Sequence, residues 1–204
     1  MALRIAIDIN DVIRDNLSQF ITYYKKGINS DFDINKDEIV SFDIMDSFPF
    51  ESHDSLNKFR YEDFPYELYG RAEPMDKILP YRLNDWIQNT MRDFNEEYIP
   101  EILFFSPFEI GMTIQSTYAF LARTGCRVRE IHFPINSYKM WDKCDIMITA
   151  NPNLLSSVPD GKIPVKINAP YNKDIKVDIT FNSLLDLIQD KDDTIIKLIE
   201  NNNG

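Results

Sequence analysis

A chain of 204 residues with 44% hydrophobic and 13% aromatic content has room for one α/β domain, or for a core domain carrying a small insertion. Its formal net charge of −11 argues against a nucleic-acid partner, because proteins that bind phosphate backbones concentrate Lys and Arg. Cys126 and Cys144 are too few for a disulfide framework, no apolar run approaches the roughly 20 residues of a membrane helix, and a cytoplasmic location is expected.

Arg4 apart, Leu3 to Ile7 form a continuous apolar run that ends at Asp8. A short run without alternation reads as a strand buried on both faces of a parallel sheet, which puts Asp8 at its carboxyl end, where open α/β sheets place their chemistry. Asp15 and Asn16 can cap a helix over 17–26, where Leu17, Phe20, Ile21 and Tyr24 fall at helical spacing before Gly27. From about Ser30 to Gly70 the chain is rich in Asp, Glu and aromatics without long apolar runs. It reads as a small folded insertion with short helices.

Beyond it, residues 80–91 are amphipathic, 101–105 (EILFF) form a second buried strand closed by Ser106-Pro107, and 111–123 form a helix ending at Gly125. Strands follow over 127–133, 145–150, 162–168 and 178–180, and two helices over 182–189 and 194–200. Strands alternating with helices indicate βαβ units and a parallel sheet.

This constellation resembles the haloacid dehalogenase superfamily, and within it the 5'-nucleotidases and deoxyribonucleotidases with a small helical cap. The family pattern is an Asp-x-Asp motif after the first strand, a cap inserted next, a Ser/Thr ending the second strand, a Lys, and an acidic pair ending the fourth. Here Asp8-Ile9-Asn10, the stretch 30–70, Ser106, Lys139 and Thr149-Ala150 occupy those places in order. The resemblance implies a Rossmannoid three-layer α/β sandwich with a central parallel sheet. Residues 1–26 and 72–204 would form the core, and 27–71 the cap. It also implies Asp8 as nucleophile through an aspartyl-phosphate, a second acid as proton shuttle, Mg²⁺ on carboxylates, and Ser106 and Lys139 on the phosphoryl oxygens. If Phe105 holds the phosphate-binding slot instead, Ser106 falls one residue beyond it.

The departures direct the functional expectation. Asn10 cannot shuttle a proton, Asp11 stands where Gly is usual, and Thr149-Ala150 replace the acidic pair. Asp145 lies roughly 13 Å back along its strand at about 3.3 Å per residue, too far to substitute. Asp8 and Lys139 then remain as an ion pair, and Asp8 alone makes a poor Mg²⁺ site. The expected protein is a catalytically impaired member of the fold with no cofactor, kept to bind a small phosphorylated ligand or a protein partner. The alternative is an active phosphomonoesterase using Asp8, with Mg²⁺. A metal-independent dehalogenase with Arg14 or Arg71 as carboxylate or halide contact is the third reading.

Arg14 either points into the pocket as an anion contact or sits at the surface, and Thr149 is a further substrate-side candidate. The aromatics Phe48, Phe50, Phe59, Tyr61, Phe64, Tyr66 and Tyr69 either line a base-binding slot or form the insertion's core. His53 and His132 lack metal-ligand spacing and read as structural. The Asn-, Ile-, Lys- and Asp-rich composition fits an AT-rich genome, such as a bacteriophage, for which an assembly or virion role and a location in host cytoplasm are expected.

Overall fold

The computed structural model describes residues 3–92, 100–191 and 193–202. The chain opens with β1 (Arg4–Asp8) and α1 (Asn16–Gly27), passes through short helical turns that include α2 (His53–Lys58), and returns through α3 (Leu79–Arg92). It continues as β2 (Glu101–Phe105), α4 (Met112–Thr124), β3 (Ile131–His132), β4 (Ile146–Thr149), α5 (Pro152–Leu155), β5 (Ile163–Ile167), β6 (Ile179–Phe181), α6 (Leu184–Ile188) and α7 (Thr194–Asn202). Among the described residues the strands form one six-stranded sheet in the order β3-β2-β1-β4-β5-β6, every pair parallel.

Strand β1 is central, with β2 on one edge and β4 on the other, and Ile5, Ala6 and Ile7 are fully buried. The two-residue period of the strand sends Ile5 and Ile7 to one face and Ala6 to the other. On the first face they join Phe104, Ile146, Ile148, Leu83, Phe120 and Leu184, so α3, α4 and α6 form that layer. On the second, Ala6, Leu103, Phe105 and Met147 meet Met140, Trp141 and Leu154. The result is the expected three-layer sandwich. A strand covered on both faces has no solvent side, which is why its sequence does not alternate.

The strand expected over 127–133 shrinks to Ile131–His132 at the sheet edge. The Arg127 amide is diverted to the Asn84 side chain (2.8 Å), and Arg4 and His132 bind the Glu130 carboxylate. Local polar partners displace ladder pairing there. The helix α4 ends at Gly125, whose φ of 74° lies in the left-handed region that closes helices at little steric cost. Gly125→Ala is expected to lower stability by about 1 kcal/mol in urea denaturation, from the strain of a Cβ at positive φ.

The insertion has its own aromatic core. Phe20 and Tyr24 of α1 pack against Phe48, Phe59, Leu56, Leu68 and Tyr69, with Phe20 edge-on to Phe48 and Phe59 at 5.0 and 5.2 Å. The buried side of α1, placed with the core domain in the sequence reading, is therefore packed with the insertion. The two ends of the insertion are joined by backbone hydrogen bonds from Asp15 N to Glu73 O and Met75 N to Ile13 O (2.9 and 2.8 Å). No helix among the described residues is long and apolar enough to cross a membrane.

Candidate active site

In a doubly wound sheet the ligand crevice lies at the carboxyl ends of the strands, where the order reverses. That point is here between β1 and β4. Their register pairs Ile7 with Ile148, which sets Asp8 beside Thr149, while Asp8 itself pairs with Phe105 of β2. The Thr149 hydroxyl donates to Asp8 Oδ2 at 2.7 Å, and the Asn10 amide donates to Asp8 Oδ1 at 3.2 Å. Asp8 is 2% exposed, and burial pushes its carboxyl up to about 7 against these two hydrogen bonds. Among the described residues no cation pairs with it.

Lys139 does not supply that cation. It lies exposed in the helical turn Ser137–Lys143 and makes no ion pair with Asp8, so the expected Asp8–Lys139 pair is corrected. A short turn before β4 presents the lysine to water, where its ammonium stays hydrated.

Arg14 is also corrected, on both alternatives. It is fully buried, so it is not a surface residue, and it points away from the cavity. Its guanidinium pairs with Glu109 (2.6 Å), donates to Thr117 Oγ1 (2.5 Å) and the Tyr69 carbonyl (3.2 Å), and binds Asn10 Oδ1 through both Nε and Nη2. Asn10 Nδ2 donates in turn to Ser106 Oγ at 3.0 Å, and the Ser106 hydroxyl donates to Glu109. The hydroxyl of Thr117 closes the network on Glu109 Oε2 (2.5 Å). Asn10 faces the cavity and the other side chains lie behind it, and a fully paired network of this kind holds its parts in one arrangement. Ser106 and Thr149 are fully buried, and neither lines the cavity, because their hydroxyls are consumed by Glu109 and Asp8. Phe105 packs in the sheet core, so Ser106 is the member of that pair that reaches Asn10.

The cavity itself measures about 580 Å³ and lies between the sheet edge and the insertion. Asp8, Asn10 and Asp11 form its floor; Phe20, Phe42, Leu56, Arg60, Tyr61 and Tyr69 come from α1 and the insertion. Of the seven aromatics singled out in the insertion, only Tyr61 and Tyr69 line it, while Phe48, Phe50, Phe59 and Phe64 belong to the insertion's own packing. The phenol of Tyr61 bonds the Phe108 carbonyl (2.9 Å) and Phe42 lies 5.2 Å from Tyr171, so these contacts tie the roof to the core in addition to the Arg14 bond to Tyr69.

Asp11 takes a left-handed φ of 56°, a conformation Asp adopts more readily than most residues. Its carboxylate accepts the Leu17 amide (3.0 Å) and the Tyr171 phenol (2.8 Å), and burial raises its pKa. Tyr171 and Arg60 carry no motif in the sequence. Arg71 is exposed and stacks on Tyr66, away from the cavity. Of the two histidines, His53 begins α2 at the surface, and His132 bonds Glu130 (2.6 Å).

Two solved structures share this architecture. A haloacid dehalogenase-like hydrolase of Burkholderia xenovorans superposes with a TM-score of 0.55 at 11% identity, over 94% of this chain and 97% of its own. A haloacid dehalogenase-like family hydrolase of Xanthomonas campestris gives 0.50 at 8% identity, over 97% and 96%. The chain has the haloacid dehalogenase-like fold. No protein-family model and no curated protein matches it in sequence.

The hydrolases of this fold generally use Mg²⁺, an octahedral cation held through carboxylates. The residues at this site do not fit such an ion. Each oxygen of Asp8 already accepts one hydrogen bond, from Thr149 or from the Asn10 amide, Arg14 binds the side-chain oxygen of Asn10, and Ala150 brings no side-chain oxygen beside Asp8. Asp11, the other carboxylate on the floor, is taken by Leu17 and Tyr171.

Proposed function

We propose that this protein binds a small organic ligand between the sheet edge and the insertion without hydrolysing it, on a hydrolase fold whose catalytic parts have been replaced. The observation that carries this reading is the surroundings of Asp8. A carboxylate attacks phosphorus efficiently when it is ionised, when a neighbouring acid protonates the leaving oxygen, and when cations take up the developing charge. Asp8 has a pKa near 7 and an amide in place of the acid. The guanidinium of Arg14 is turned away and paired with Glu109. The cavity is nonetheless well formed, and its volume falls within the roughly 300–1,000 Å³ of small-molecule sites.

The test is phosphate release from an aryl phosphate and from nucleoside monophosphates with Mg²⁺, for wild type, Asp8→Asn and Ala150→Asp. The expected result is no release above background in wild type or Asp8→Asn. Turnover by wild type that disappears in Asp8→Asn would sink this reading. It would establish instead a phosphomonoesterase acting through Asp8, which the place of Asp8 on the cavity floor favours as the second reading.

A further inference from the structure

Arg60 is the cationic side chain that faces the cavity. It lies in the π-helical turn Phe59–Asp63, and its guanidinium carbon stands 5.3 Å from the Phe20 ring centre. Stacking on a buried aromatic holds the planar group without consuming its hydrogen-bond donors. The Nε atom of Arg60 is buried and has no hydrogen-bond partner, and among the described residues Arg60 forms no ion pair. The carboxylate of Asp43, which lines the same cavity, accepts the Met45 amide and forms no ion pair with Arg60. The Nε atom is closed off from the cavity, so the part of the guanidinium open to a ligand is its Nη end.

Asp8 and Asp11 lie on the floor with no cation between them, while the insertion side carries Arg60 together with the carboxylate of Asp43. An oxyanion placed at the floor meets carboxylates; placed at Arg60 it meets an unpaired guanidinium fork suited to carboxylate or phosphate. The apolar wall from Leu17, Phe20, Phe42, Ile44 and Leu56 suits an uncharged ring or chain between the two ends.

We propose that Arg60 anchors the oxyanion of a small organic ligand, which lies with its charge toward the insertion and its uncharged end toward Asp8. This rests on the binding reading above, but orients the ligand opposite to a phosphate delivered to Asp8.

The probes are phenyl phosphate, phenylacetate and the neutral 2-phenylethanol, titrated calorimetrically into wild type, Arg60→Gln and Arg60→Lys. At least one oxyanion is expected to bind wild type more tightly than the alcohol, and the stronger of the two identifies the group as phosphate or carboxylate. Arg60→Gln is expected to weaken the oxyanion roughly 10- to 100-fold, Arg60→Lys less, and the alcohol not at all. Oxyanions that bind no better than the alcohol, or equally to wild type and Arg60→Gln, overturn the proposal. Should Arg60→Gln not fold, phenylglyoxal modification of wild type gives the answer. Protection of Arg60 by the oxyanion supports the anchor, and its absence overturns it. Phosphate release from phenyl phosphate that is lost in Asp8→Asn would overturn the non-hydrolytic reading alone. The ratio of Arg60→Gln to wild type judges the anchor in either case.

Discussion

Glu109→Ala is expected to destabilise the protein by about 3–5 kcal/mol in urea denaturation, the loss typical of removing one partner from a buried ion pair. Arg14 and Glu109 are 0% and 1% exposed in their side chains, so neither charge has water to fall back on. The carboxylate also accepts the hydroxyls of Ser106 and Thr117, which lose their acceptor in the variant. The double replacement Arg14→Met with Glu109→Leu is expected to recover at least half of the loss, because it removes both charges together. Recovery of none of it would mean that the hydrogen bonds of Arg14 to Asn10 and Tyr69, and not the charge pair, hold this region. Because Arg14 bonds the Tyr69 carbonyl, Glu109→Ala also loosens the insertion where it rejoins the core.

Asp8→Asn is expected to be more stable than wild type by about 2–4 kcal/mol at pH 8 and equal to it near pH 4. Burial raises the folded-state pKa of Asp8 from 3.8 to about 7. Between these values the folded protein holds a proton that the unfolded chain has released. Stability therefore falls as pH rises across this window, by up to about 1.4 kcal/mol per pH unit, and levels off above the folded value. An amide removes the charge and keeps one oxygen for the Asn10 or Thr149 donor; the other donor loses its acceptor, which trims the gain. Chemical denaturation of both proteins from pH 4 to 8 reads the difference directly. A gap that does not change with pH would show that Asp8 carries no shifted titration. The variant that removes the one reactive-looking side chain thus stabilises the fold, as expected where a group has been kept against its surroundings.

The sheet was legible in the sequence because its strands are buried on both faces, and continuous apolar runs such as EILFF have few other uses. The edge strand was not, since Arg127 to Glu130 take local polar partners that no periodicity reveals. Asp8 and its place at a strand end followed from the same apolar run. Asn10 stands where the resemblance expects an acid, and its partner could not be foreseen. Arg14 lies four positions further on, but its counter-charge Glu109 lies 95 positions away. Lys139 was misplaced for the opposite reason: order along the chain located the residue, whereas the direction of its side chain depends on a turn that the motif does not specify. Arg60 and Tyr171 were missed because an arginine among aromatics and a tyrosine in a turn are common, and only three-dimensional proximity distinguishes them.

The central position of β1 also governs how the protein comes into being. Its neighbours are β2, reached only at Glu101, and β4, reached at Ile146. At roughly 5–20 residues per second of synthesis, β1 emerges some 5–20 s before its first partner exists. Throughout that interval its apolar strand has unpaired backbone on both edges, the condition most prone to misassociation. The aromatic cluster of α1 and the insertion spans 17–69 and closes without any of the sheet. Short-range contacts of that kind form early, so the roof of the cavity is expected to take shape on the nascent chain before the sheet that carries the floor.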